Sequence, residues 1–322
     1  MTFLITLFFP LFLCFNLTSV IATEVTQPIA SYQRIIIEDQ PFKAVLFLPI
    51  SDRPLPAIIT LSGSNGGLSE SRAKALAVEG FATLALGYFG IEGLPSNLEN
   101  IPLEYFKTAI DWLQSHPSID KDHIGIYGVS RGAELSLILG TVFPDSIHAI
   151  VAAVPSSVIF GAINQSHLPA WTYQGRPISP SAPVAKDDEK LGQDADHPLR
   201  TTSQFLEGMK DQEAYQCAAI PVEKITCPIL LISGGDDGMW PSSIFAEQIL
   251  KRKNPTALVQ HLHYPDAGHQ IGIPGLASSS LYYHPIANKW FSMGGSPQAD
   301  EEASQDSWKK LVAFLKDHLS LS

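Results

Sequence analysis

The pentapeptide Gly128-Val129-Ser130-Arg131-Gly132 constrains this chain more than any other stretch. It sits inside IGIYGVSRGAELSLILG, residues 124–140, where a short apolar run gives way to a helix-period run. A G-x-S-x-G at a strand-to-helix junction predicts a nucleophile elbow. The serine occupies a strained turn, and the flanking glycines let neighbouring backbone pass close by. The following helix then aims its free N–H groups and positive dipole end at an oxygen that becomes negative during acyl transfer. A small-residue turn that holds a serine by chance is the plain alternative, and the flanking strand and helix weigh against it.

An elbow needs a sheet to stand on. Tyr32–Ile37 and Phe42–Leu48 predict an edge hairpin. Ala57–Leu61, Phe81–Leu86, Ile147–Val154, Ile225–Ser233 and Ala257–Tyr264 predict further strands. Helix-period runs lie between them at Ser69–Glu79, Pro102–Gln114 and Ser242–Lys253, and another closes the chain at Asp306–Leu319. This alternation predicts an α/β fold, a mostly parallel central sheet with helices on both faces. With 45% hydrophobic and 16% charged residues, 322 residues are enough to fill such a core. The pattern breaks at about 156–215, which carries prolines, a charge run at Lys186–Lys190, and Trp171, Tyr173 and Phe205. A long irregular insertion between core strands predicts a lid or cap over the serine. Trp171 and Tyr173, with Trp240 beyond them, are candidate substrate-pocket walls, and packing within the cap is the plain alternative. Ser278–Gly295 is an aromatic loop expected to border the site.

Residues 1–22 read as a secretory signal peptide ending in Val20-Ile21-Ala22, so the protein is expected to be secreted or periplasmic. An uncleaved membrane anchor is the alternative. Cleavage would leave Cys217 and Cys227, and both a disulfide and a pair of buried thiols stay open. A net charge of -11 argues against a nucleic acid partner and against an anionic membrane, since phosphate binding needs a basic face.

Three further stretches carry chemistry. Ser62-Gly63-Ser64-Asn65-Gly66-Gly67 leaves a strand and opens a helix, presenting backbone N–H groups to an anion. It lacks the Lys-Ser/Thr ending of a phosphate loop. Beside an elbow it fits an oxyanion hole, with the N–H of Ser64 or Asn65 acting alongside that of Arg131. Gly234-Gly235-Asp236-Asp237 follows one strand and Pro265-Asp266-Ala267-Gly268-His269 follows the next. Counting from Gly234, the G-x-x-D turn directs Asp237 at the histidine and leaves Asp236 to stabilise the turn. The chain order Ser130, Asp237, His269 is that of α/β-hydrolases rather than chymotrypsin-like or subtilisin-like chains. Of ten histidines, His284 is the main rival base. His269 is preferred because Gly268 frees the imidazole to swing over the elbow. His261 and His263 share a strand face without a third ligand nearby, so no metal and no cofactor are expected.

Several of these stretches occur together in one known order: GSNGGLSESRA (63–73), GFATLALGYF (80–89), GLPSNLENIPLEYF (93–106), GVSRGAELSL (128–137), GGDDGMW (234–240), YPDAGH (264–269) and SWKKLVAFLKDHL (307–319). In this the chain resembles the acyl-CoA thioester hydrolase and bile acid-CoA:amino acid N-acyltransferase family, specifically its C-terminal catalytic domain. The resemblance runs from about Leu55 to the end and implies nucleophile Ser130, acid Asp237 and base His269, within an α/β-hydrolase domain expected over residues 23–322. It also implies cleavage of a small-molecule acyl thioester through an acyl-serine. Asn65 stands where the family loop usually has glycine. Ser130 stands where the amino-acid-conjugating members carry cysteine, which favours transfer to water. A carboxylesterase, a lactone hydrolase of the dienelactone type or a peptidase are the alternatives on the same fold. A non-catalytic ligand-binding relative is the alternative outside enzymes.

Overall fold

The computed structural model describes residues 31–163, 167–186, 188–275 and 279–319. The expected signal segment, residues 1–22, lies outside them. In chain order the elements are β1 (Tyr32–Ile37), β2 (Lys43–Pro49), β3 (Leu55–Leu61), α1 (Glu70–Val78), β4 (Ala82–Gly87), β5 (Ile101–Pro102), α2 (Leu103–Ser115), β6 (Ile119–Val129), α3 (Arg131–Val142) and β7 (Ala149–Ala153). The second half holds β8 (Trp171–Tyr173), β9 (Arg176–Pro177), α4 (Thr202–Gly208), α5 (Gln212–Cys217), β10 (Ile229–Gly234), α6 (Ser242–Arg252), β11 (Val259–Tyr264), β12 (Leu281–His284), β13 (Lys289–Ser292) and α7 (Pro297–Leu319).

Eight strands form the main sheet in the order β1-β2-β4-β3-β6-β7-β10-β11. The β1–β2 and β2–β4 pairs are antiparallel, and every pair from β4 to β11 is parallel. The central strands are buried along their whole length, as ATLALG of β4 and ILLISG of β10 illustrate. Strands covered on both faces need no polar alternation. Successive residues still point to opposite faces. Ile59, Leu61, Ile126 and Leu231 therefore join α2, α3 and α6 in one core. Ile58, Tyr127, Leu230 and Ile232 join Leu76 of α1 and the apolar stripe of α7 in the other.

Residues about 156–215, expected to cap the serine, carry β8, β9, α4 and α5. Their Val158, Phe160 and Tyr215 pack with Trp240 and Phe245 in a satellite core. Trp171 is not a pocket wall. It is 1% exposed, packs tilted against Tyr88 and edge-on against Phe106, and donates its indole N–H to Glu134 Oε1 at 2.8 Å. An indole buried this deeply needs an acceptor, and α3 supplies one. Cys217 and Cys227 are free thiols, the first exposed and the second buried, and burial pushes the Cys227 thiol up to about 12.

Helix α7 starts nine residues ahead of the expected Asp306, at Pro297. Its first turns lack an apolar stripe because polar side chains there hold backbone. Asp300 Oδ1 accepts the Gly268 N–H at 2.7 Å, and Ser304 Oγ accepts the Gly272 N–H at 2.9 Å.

The elbow explains its own glycines. Ser130 has φ 57° and ψ −121°, a left-handed conformation that costs an L-residue on the order of 1–3 kcal/mol. Strand and helix then pass so close that a Cβ on Gly128 would lie 2.0 Å from the Gly132 carbonyl oxygen. One on Gly132 would lie 2.4 Å from that of Ser62. Both obstacles are backbone and cannot rotate away. Gly132→Ala is expected to cost about 3 kcal/mol or more. Chemical denaturation would show this as a lower midpoint, and an unchanged midpoint would contradict the contact.

Candidate active site

Parallel strands deliver their following loops to one edge of the sheet, the edge where open α/β folds bind ligands. The loop after β3 brings Gly63–Gly67, the turn after β6 brings Ser130, and the loops after β10 and β11 bring Asp237 and His269. There the three polar side chains form one hydrogen-bonded chain. His269 Nε2 is 3.0 Å from Ser130 Oγ, and His269 Nδ1 is 2.9 Å from both carboxylate oxygens of Asp237.

The surroundings set the orientation of each member. Asp237 is 2% exposed, and its Oδ1 accepts the N–H groups of Met239 (2.9 Å) and Trp240 (3.2 Å). Its Oδ2 accepts the Ser242 hydroxyl at 2.6 Å. With its remaining lone pairs tied to the turn and α6, the carboxylate faces His269 in one orientation. His269 itself is held by its N–H to the Met293 carbonyl oxygen (2.9 Å), and by Asp300 through Gly268. Asp236 binds Arg200 and the Gly295 N–H (2.8 Å), so it closes the turn.

Ser130, His269 and Val129 line a cavity of about 280 Å³. The rest of its wall comes from Gly63, Ser64, Asn65 and Arg72 on one side and from residues between Met239 and Met293 on the other. Ser64 and Asn65 occupy the middle of a turn closed by the Gly66 N–H on the Gly63 carbonyl oxygen at 3.2 Å. Arg131, at the first position of α3, directly follows Ser130. Tyr282, His284 and Met293 belong to the aromatic loop, which folds as the β12–β13 hairpin. None of the described residues of the 156–215 segment is among the wall residues. Tyr173 packs edge-on against Phe143, away from the cavity. Trp240 lies behind the histidine, its ring edge-on to that of His269 at 5.9 Å and its indole N–H donating to the Val154 carbonyl oxygen at 3.1 Å.

Asp300, Ser242, Arg72 and the His284–Ser64 contact escaped the sequence reading. The acidic opening of α7 was a visible signal for Asp300, whereas nothing in the local sequence marks the other three.

The class that these features define is the α/β-hydrolase fold. The esterase rPPE superposes with a TM-score of 0.55 at 14% identity, over 92% of this chain and 85% of that one. The Pyrobaculum calidifontis esterase does so with 0.52 at 15% identity, over 91% and 86%. Within that class the chain belongs to the family described as BAAT / Acyl-CoA thioester hydrolase C terminal, which matches residues 101–321. It is similar to acyl-coenzyme A thioesterase 1 of Mus musculus, 32% identical over 290 residues that make up 89% of this chain and 65% of that one. Acyl-coenzyme A thioesterase 6 of Homo sapiens is likewise 32% identical over 287 residues, 87% of this chain and 64% of that one. The chain thus spans less than two thirds of the length of these relatives.

Proposed function

We propose that this protein is a serine hydrolase that cleaves small-molecule acyl thioesters by way of an acyl-serine. The hydrogen-bonded chain Ser130–His269–Asp237 at the cavity carries the proposal, and membership in the thioester hydrolase family directs it towards thioesters. A serine hydroxyl becomes nucleophilic when a base within hydrogen-bond reach takes its proton, and that base works when a partner holds its tautomer. Ser130 Oγ attacks the acyl carbon as His269 Nε2 removes the hydroxyl proton. The Arg131 N–H and one N–H from Ser64 or Asn65 stabilise the tetrahedral oxyanion. Collapse breaks the carbon–sulfur bond, and His269 returns its proton to the departing thiolate. Water then attacks the acyl-serine ester with His269 again as base. The second collapse releases the carboxylic acid and restores the Ser130 hydroxyl.

The test is a panel of acyl-CoA thioesters, carboxylic esters and lactones, run together with fluorophosphonate labelling. Thioester turnover with labelling at Ser130 is the expected result. Turnover of esters or lactones alone would overturn the thioester assignment, and tight binding without labelling or turnover would overturn hydrolysis altogether. Asp237→Asn offers a second check. The amide retains the size of the carboxylate but presents a donor where His269 Nδ1–H needs an acceptor, favouring the wrong tautomer. Turnover is expected to fall about 10⁴-fold, with the protein still folded by circular dichroism. A fall of less than 10-fold would contradict the role given to Asp237.

A further inference from the structure

The cavity holds a second serine–histidine contact that the steps above leave unused. His284, on β12, is 2% exposed, and its Nε2 lies 2.9 Å from Ser64 Oγ. Its other ring nitrogen, Nδ1, accepts the N–H of Ala287 at 3.2 Å. A backbone N–H can only donate, so Nδ1 carries no hydrogen. Burial also lowers the imidazole pKa, against the pull of backbone hydrogen bonds, and so favours the neutral ring. With Nδ1 accepting, the single ring hydrogen sits on Nε2, which faces Ser64 Oγ at 2.9 Å and also has the Ser64 backbone as a partner.

This polarity determines what the serine can do. A hydroxyl oxygen that accepts from His284 has its own hydrogen left to donate. Ser64 lines the same cavity as Ser130 and His269. The residue before it runs beside the nucleophile, since a Cβ built on Gly63 would lie 3.2 Å from Ser130 Cβ and 3.7 Å from Ser130 Oγ. The rest of this wall is also rich in donors. Asn65 follows Ser64, and the Arg72 guanidinium, bonded to Ser69 Oγ at 3.1 Å, completes that side. Among the described residues, no aspartate or glutamate lines the cavity. In a chain of net charge -11, a wall of donors without carboxylates suits an oxygen that gains negative charge.

We propose that Ser64 is a further catalytic residue, whose hydroxyl, aimed by His284, donates to the acyl oxygen of the substrate as that oxygen becomes negative. His284 is then a positioning residue that acts through Ser64 without touching the substrate. This role belongs to the side chain and adds to any contribution from the loop N–H groups. It rests on the assignment of Ser130 as nucleophile.

The experiment compares Ser64→Ala, Ser64→Thr, His284→Leu and the Ser64→Ala/His284→Leu double variant with wild type. Steady-state hydrolysis of one good substrate is measured, with fluorophosphonate labelling taken to completion. Labelling of wild type, and its loss in Ser130→Ala, tests the Ser130 assignment separately, because Ser130 is present in every Ser64 and His284 variant. If wild type takes no label, the nucleophile assignment fails and this proposal fails with it. Given labelling, Ser64→Ala is expected to lower kcat on the order of 100- to 1,000-fold, with KM within about 3-fold because the donation strengthens in the transition state. Ser64→Thr, which retains the hydroxyl, is expected to recover most of the loss. His284→Leu is expected to lower kcat in the wild-type background and to add nothing in the Ser64→Ala background, the signature of one residue acting through another. Ser64→Ala with kcat within 2-fold of wild type, or with only KM raised, would overturn the proposal. Equal losses from His284→Leu in both backgrounds would overturn the positioning role. Ser64→Ala removes a single oxygen, so the central outcome stays readable even if His284→Leu fails to fold.

Discussion

Ser130→Ala is expected to abolish fluorophosphonate labelling and to reduce turnover on the order of 10⁶-fold, down to the residual rate that binding and oxyanion contacts sustain. The size of the effect follows from how the site is built. His269 Nε2 has Ser130 Oγ as its partner at 3.0 Å, and among the described residues no other cavity side chain is bonded to it. Removing the hydroxyl leaves base and acid in place with nothing to activate. Alanine at this φ of 57° bears nearly the same backbone strain as serine, so the melting temperature is expected to stay within a few degrees. That combination separates a lost nucleophile from a lost fold. Labelling that persists in Ser130→Ala would place the nucleophile elsewhere.

The second large effect lies one turn away, beneath the elbow. Arg131, whose backbone N–H is proposed to serve the oxyanion, buries its guanidinium against the interior. Its Nη2 donates to the carbonyl oxygens of Phe160 (2.9 Å) and Gly161 (3.1 Å), and its Nη1 lies 3.3 Å from Glu134 Oε2. The guanidinium carbon sits about 6 Å from the rings of Phe160 and Trp171. Glu134 Oε1 accepts from Trp171 Nε1. Glu134→Ala would strand a buried cation and a buried indole N–H together. A loss of about 3–5 kcal/mol is expected, read as a lower denaturation midpoint. Glu134→Gln retains an acceptor for the indole and should cost less.

The same carboxyl makes stability depend on pH. Burial pushes Glu134 up to about 7 from its ordinary 4.5, against the pull of Arg131. Between those values the folded protein binds a proton that the unfolded chain has released. This contribution is therefore fully present below about 4.5 and is lost as pH rises through about 7. Glu134→Gln is expected to flatten the fall in stability across that window. A wild-type profile with no such fall would contradict the buried-acid reading.

Much of the site was legible because each strand end carries its own local signature. G-x-S-x-G needs glycines wherever strand and helix nearly touch, and G-x-x-D and Gly-His follow buried strands at the same edge. The segment about 156–215 left two readings open, pocket wall or cap packing, for an equally local reason. Its aromatics look alike in sequence whether they face a ligand or a core, and only the burial of Trp171 against Tyr88, Phe106 and Glu134 separates the two. Helix α7 was read short because its first turns spend their side chains on the Gly268 and Gly272 N–H groups, and polar anchoring leaves no apolar period.

From the sequence alone came the α/β-hydrolase layering, the elbow, and the order of Ser130, Asp237 and His269. Apolar period and tight-turn glycines are properties of neighbouring residues, so they can be read along the chain. Tertiary structure decided what crosses long intervals. It brought Ser64 to His284 across 220 residues, and Asp300 to the loop of His269. It also placed the β12–β13 hairpin at the cavity and Trp171 in the core. Such contacts depend on where separate loops meet in space, and no local pattern encodes that meeting.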